Sequence, residues 1–293
     1  MEKVDLKMLG KNIVDQFQET YGENMQFSYI KSCKSNSEPI GIRLKFPNEG
    51  SFPVLVLGDD LGSDPNKDAV NNEPYVFQDM LREDGDFGLL ISKLSKEYVL
   101  NNVVFRVVGR KYNHQLLKSC PYVRFLDLAG IFALPVGEFD GKTLFSMIIT
   151  NKQITALKVT IDELTETARQ NTLRKFGVCL FPPDGSQKPF DEVEMTACGL
   201  YALTNNIKID GAALILIPEV LEKIGEKAGM DYFVLPGSTR DLSIIKDDGA
   251  VTAKLLKEVL YEANRDSFNV RRKEFLSDSV YRYSRKKKVL NII

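Results

Sequence analysis

The residues that could carry chemistry are few. His114 is the lone histidine of the 293-residue chain, so any Ser-His or Cys-His nucleophile scheme has to run through it, with a third group orienting the ring. It sits in Lys111-Tyr112-Asn113-His114-Gln115-Leu116-Leu117, which reads as a polar helix start on the surface, and no G-x-S-x-G elbow accompanies it. Ser284 and Lys287 spell S-x-x-K inside a lysine-rich run, where the match means little. The four cysteines, Cys33, Cys120, Cys179 and Cys198, are far apart with no C-x-x-C pair. Zinc-ligand spacing is therefore missing, no metal or cofactor is expected, and reduced thiols are.

Two loops imitate ligand sites without the spacing. Gly137-Glu138-Phe139-Asp140-Gly141-Lys142-Thr143 resembles a phosphate cradle but is one residue short. Apolar, β-like residues follow it where a helix should open, so a hairpin turn is expected. The acidic run from Asp59 to Asp68 is rich in oxygen ligands. Counted from Asp60, however, Pro65 and Asn71 fall where a calcium loop needs glycine and glutamate, so a solvated loop is expected.

Charges in apolar surroundings are the better candidates. Arg106 interrupts Val103 to Val108, and Asp127 interrupts Phe125-Leu126-Asp127-Leu128-Ala129, beside Arg124. An unpaired buried charge costs several kcal/mol, so each is expected to have a partner, each other or Arg124. A ligand pocket built on them is the functional alternative. Asp127 and Asp278 are the carboxylates available to a hydrolase, and Arg282 lies in a basic C-terminal segment. From Arg265 to Lys288 nine basic residues face three acidic ones, a local charge of +6 within a chain of net charge −1. With Tyr281 and Tyr283 among them, this segment could track phosphates and stack bases. The opposite segment, Asp59 to Asp86, carries nine acids against Lys67 and Arg82, or −7, and could pair with it.

The elements that must position these groups are of mixed type. Leu6, Leu9, Ile13, Val14 and Phe17 recur at helical spacing. Met25 to Ile30, Ile40 to Phe46 and Phe52 to Leu57 alternate as strands of a small antiparallel sheet. Tyr75 to Leu81 and Leu89 to Leu100 read as helices, Val103 to Val108 as a strand, and Phe125 to Val136 with Leu144 to Thr150 as a hairpin. Thr160 and Glu163 form a capping box opening a helix over 161–171. Phe181 to Ser186 is turn-rich, a candidate boundary between lobes. Beyond it the spacing predicts strands at 200–204, 212–217, 232–235 and 242–245, helices at 218–228 and 251–264, and a closing hairpin from 279 to 293.

Strands joined by tight turns imply an α+β fold with antiparallel or mixed sheets under packed helices, in two lobes: residues 1–100 and 101–293. The start of the sequence lacks a basic, then apolar, leader and no apolar run would span a bilayer. A cytoplasmic location and no membrane partner are expected.

A set of phrases in order resembles a bacterial domain-of-unknown-function family, number five-six-eight-eight. They are Asn113-His114-Gln115-Leu116-Leu117, Pro121 with Arg124 to Ala129, Asn171-Thr172, Tyr201 to Asn205, Gly211-Ala212-Ala213 with Ile217-Pro218, Tyr232 to Pro236, and Leu276 to Tyr281. The likeness spans Val103 to Arg285 and implies an intracellular bacterial α+β protein with no established activity. The family pattern places histidine after the proline matching Pro121, and a His-Glu pair where Arg240-Asp241 stands. This chain has Tyr122 and Arg240 there, so imidazole chemistry does not carry over. The leading expectation is a non-enzymatic protein that binds an unidentified protein partner. A carboxylate-dependent hydrolase and a nucleic-acid binder using Arg265 to Lys288 are the alternatives, and the candidate binding residues are Arg106, Arg124, Asp127, Asp278 and Arg282.

Overall fold

A computed structural model describes residues 26–31, 40–45, 54–57, 94–139, 142–186, 189–197, 199–266 and 274–293. The helices expected over 6–22 and 75–81 and the acidic segment fall outside these residues. The chain separates into two compact units, residues 1–89 and 90–293. In the first, β1 (Gln26–Lys31), β2 (Ile40–Lys45) and β3 (Val54–Leu57) form an antiparallel sheet in chain order, where alternation placed three strands.

In the second unit, α1 (Lys96–Asn102) leads into β4 (Val104–Gly109). A 3-10 turn, Arg110–Tyr112, and the short α2 (His114–Ser119) follow, then β5 (Tyr122–Phe125), the long β6 (Leu128–Phe139) and β7 (Lys142–Ile148). All pairings are antiparallel. β6 carries β4 on one edge, with β5 and then β7 along the other. The pairing Phe139↔Lys142 makes the phosphate-loop mimic a hairpin end. The apolar run 125–136 is not one strand, because a turn at Leu126-Asp127 divides it and Leu126 adopts φ 54°.

Next come α3 (Asn151–Leu157), capped by Thr150, and α4 (Ile161–Phe176), opened by the Thr160/Glu163 box. The Glu163 carboxylate takes the Thr160 N–H at 2.8 Å and pairs with Lys96 at 2.6 Å. α4 is tied to its neighbours by buried polar links. Asn171 Nδ2 donates to Leu100 O at 2.9 Å and Val103 O at 3.0 Å, and Thr172 Oγ1 accepts the Phe105 N–H at 2.9 Å.

The rest builds a six-stranded antiparallel sheet from β8 (Cys179–Phe181), β9 (Leu200–Thr204), β10 (Tyr232–Leu235), β11 (Leu242–Lys246), β12 (Tyr281–Ser284) and β13 (Val289–Ile292). Its order is β13-β12-β10-β11-β9-β8. Strand alternation sends Tyr232, Val234, Tyr281 and Tyr283 to a core shared with α5 (Pro218–Ala228). Phe233 points the other way, into a second cluster with Leu256 and Leu260 of α6 (Ala253–Ala263). The strand expected over 212–217 is corrected: residues 212–216 lie in a buried 3-10 segment, Gly211–Leu216, that ends at Ile217. Its small residues permit an approach that a strand there would not need. A Cβ on Gly211 would stand 2.1 Å from Thr204 Oγ1 and 2.4 Å from Arg240 O. Phe181 to Ser186 lies inside the second unit, so it divides nothing at this level.

Candidate functional site

Three hydroxyls converge on Asp127. The carboxylate projects from the β5–β6 turn, which Arg110 holds through its N–H to Asp127 O at 3.0 Å and its guanidinium to Leu126 O at 3.1 Å. Facing it is the extended approach to β12. Ser277 donates to Asp127 Oδ2 at 2.5 Å, Ser279 donates to the same oxygen at 2.9 Å, and the Tyr281 hydroxyl donates to Oδ1. The Ser279 N–H also donates to Ser277 Oγ at 2.9 Å, which fixes the local turn. The whole segment is anchored behind: Leu276 N–H to Gly237 O and Ser277 N–H to Pro236 O, each at 3.1 Å. Gly109 lets it close in, since a Cβ there would lie 2.2 Å from Leu276 O.

Period-two alternation explains the convergence. The side chains of residues 277, 279 and 281 all meet Asp127, whereas those of residues 278 and 280 are directed elsewhere. Val280 accordingly enters the α6 cluster. Asp278 meets the end of α6, where Asn264 Nδ2 donates to it at 2.9 Å and Arg265 pairs with it at 3.2 Å. Asn264 Nδ2 also donates to Ser277 O at 3.0 Å, and its Oδ1 faces Gly237.

These surroundings settle what each group can do. Tyr281 is fully buried, and burial first, then the Asp127 charge, drives its hydroxyl far above the ordinary tyrosine range. It stays protonated as a donor. Asp127, receiving three O–H bonds, serves as acceptor to a protein-made shell. His114 is exposed at the first position of α2.

Five residues were candidates from sequence, and they do not form one site. Asp127 pairs neither with Arg106 nor with Arg124: donors of fixed geometry take the role expected of a cation. Arg106 instead pairs through Nε with Asp210 Oδ2 at 2.8 Å and reaches Ser146 Oγ at 3.2 Å. Arg124, on β5, is exposed. Arg282 bridges Asp247 at 2.6 Å and Asp231 at 3.1 Å, clamping the ends of β10 and β11 to β12.

Among the described residues of the basic segment, Arg265, Arg282, Arg285 and Lys288 are engaged within the fold. Lys288 pairs with Glu222 at 2.8 Å, Arg265 with Asp278, and the Arg285 guanidinium reaches Gly229 O at 3.3 Å. Tyr281 and Tyr283, which the sequence offered as stacking rings, do not face outward. Both rings are buried, and Tyr283 stacks on Tyr232 at 4.8 Å. Arg271, Arg272 and Lys273 lie outside the described residues.

Asp241 was missed by sequence reasoning. Burial, and secondarily the Glu274 charge, raises its pKa, while neighbouring Arg240 opposes the rise. Arg240 pairs with Glu274 at 3.3 Å. The missed hydroxyls had a readable signal: Ser277, Ser279 and Tyr281 alternate. Among the described residues no three His, Cys, Asp or Glu side chains are grouped to hold a metal ion, and no helix is long and apolar enough to cross a membrane.

A family model described as a family of unknown function (DUF5688) matches residues 7–285. The match reaches well upstream of Val103, where the resemblance in the sequence began. No curated protein and no solved structure matches.

Proposed function

The chain belongs to this family of unknown function, and from that premise we propose that it is a cytoplasmic, non-enzymatic interaction protein of bacterial origin that binds another protein. The observation that carries the reading is where the candidate polar groups direct their bonds. Asp127 accepts three hydroxyls, Asp278 meets Arg265 and Asn264, and Arg282 spans two carboxylates, all within the fold. A general acid or base has to reach substrate instead. Large apolar side chains meanwhile stand exposed: Leu255, Val259 and Tyr261 on α6, Val289 and Ile292 on β13. Free thiols at Cys120 and Cys179 suit a reducing compartment.

Two parallel assays test the proposal. Immobilised protein, exposed to lysate of its own host, is expected to retain a protein partner in stoichiometric amount. Esters, amides, phosphoesters and glycosides incubated with the free protein are expected to show no turnover that Asp127→Asn or Asp278→Asn removes. Turnover lost in either folded variant would make the protein a carboxylate-dependent hydrolase. Retention of nucleic acid in place of protein, with a steep salt dependence, would favour a nucleic-acid binder.

A further inference from the structure

The two edges of the six-stranded sheet are finished differently. β8 is three residues long, and the Lys208 ammonium stands over its Phe181 ring at 4.7 Å. A strand this short, with a cation standing over its ring, offers little edge for a further strand to pair with. β13 ends the sheet on the other side, and among the described strands it pairs with β12 alone. Its residues, Val289-Leu290-Asn291-Ile292, include no proline and no charge. Val289 is 43% exposed and Ile292 46%.

The ladder fixes which backbone groups face out. The Ile293 N–H points inward, donating to Val280 O at 3.0 Å. By alternation Asn291 and Val289 also address β12, so Leu290 and Ile292 present their N–H and C=O outward. The adjoining turn supplies charge. Lys288 is tied to Glu222 with Glu226 near, and the Arg285 N–H donates to Asp231 at 2.9 Å. Lys286 and Lys287 are exposed.

We infer, resting on the protein-binding reading above, that β13 receives an extended segment of the partner protein as a seventh, antiparallel strand. That segment is apolar with acidic residues after the apolar run. Antiparallel addition continues the pattern of every pair in the sheet and is the stronger pairing. It brings the C-terminal end of the added strand beside Val289, next to Lys286 and Lys287, where carboxylates are favoured. Length argues for a short segment over a second copy. A four-residue edge is far from the roughly 1,600 Å² that a standard stable interface buries.

The test uses the full chain and two labelled peptides, Thr-Val-Thr-Ile-Thr-Asp-Glu and a neutral counterpart ending in Asn-Gln, followed by fluorescence anisotropy. The acidic peptide is expected to bind the unaltered protein, and Ile292→Pro, which removes an outward donor and no ladder bond, to weaken it about tenfold. Lys286→Glu with Lys287→Glu is expected to weaken the acidic peptide by a similar factor and leave the neutral one unchanged. Should proline disturb the fold, amide exchange on the unaltered chain still decides: bound peptide slows Leu290 and Ile292 selectively. No binding of either peptide, unchanged binding to Ile292→Pro, or a dimer that Ile292→Pro dissociates would each overturn the inference. A host protein retained equally by the unaltered chain and Ile292→Pro removes the edge and leaves the binding reading standing. Asp127-dependent turnover removes that reading itself.

Discussion

Within five residues the segment Ser277–Tyr281 meets two carboxylate environments of opposite kind. On its odd-numbered face Asp127 is half-buried and takes three hydroxyl donors, one from a fully buried tyrosine. On its even-numbered face Asp278 is 37% exposed and pairs with an Arg265 that is 48% exposed. Water competes freely on the second face and little on the first. Exposed ion pairs contribute about 0–1 kcal/mol. A hydrogen bond to a charged group contributes roughly 1.5–3 kcal/mol, and a buried donor stranded without an acceptor costs about 1–3. The neutral donors around Asp127 should therefore hold the two sheets' junction more firmly than the full charges around Asp278.

The sharpest way to break that comparison is Asp127→Ala, which strands three hydroxyls at once. A loss of about 3 kcal/mol or more is expected, read as a lower urea midpoint. Tyr281→Phe, which leaves Asp127 two donors, should cost about 1–2 kcal/mol. The same residue predicts behaviour in alkali. Its folded pKa lies above the unfolded value of about 10, so its contribution is complete below pH 10 and is lost as pH rises beyond it. Tyrosinate absorbance from Tyr281 should appear only with unfolding.

Smaller effects belong to the exposed pairs. Arg282→Met removes links to Asp231 and Asp247 and should cost about 1 kcal/mol or less, diminishing with added salt. At the α4 cap, the Lys96 ammonium first, then the Thr160 N–H, lowers the Glu163 pKa to about 2. Its folded pKa is depressed, so its contribution is present above the unfolded value of about 4.3 and fades as pH falls towards 2. Glu163→Gln should remove that part of the acid dependence of the helix, followed by circular dichroism. Asp278→Asn should leave the urea midpoint where it is.

The difference between the two faces also marks what a sequence can say. Capping residues and alternation are local, so α4 opened at Thr160, α5 closed at Gly229 and the β12–β13 hairpin formed where their patterns lay. The 3-10 segment Gly211–Leu216 read as a strand, because apolar residues that are buried all round carry no period, and only the close approach of Thr204 and Arg240 selects the tighter turn. The Asp127 cluster was half legible. A charge in an apolar run announced that a partner existed. Which partner depended on a chain separation of 150 residues or more, beyond any local pattern. Arg106 behaved likewise: its need for an acid was readable, and Asp210 was not.

A double-mutant cycle on Asp127→Ala and Tyr281→Phe, followed by urea unfolding, tests the hydroxyl-saturated carboxylate most directly. The two substitutions should be coupled by about 2 kcal/mol, because each removes the same buried contact. Additive losses, with coupling near zero, would contradict a structural latch and return Asp127 to the carboxylates available for catalysis.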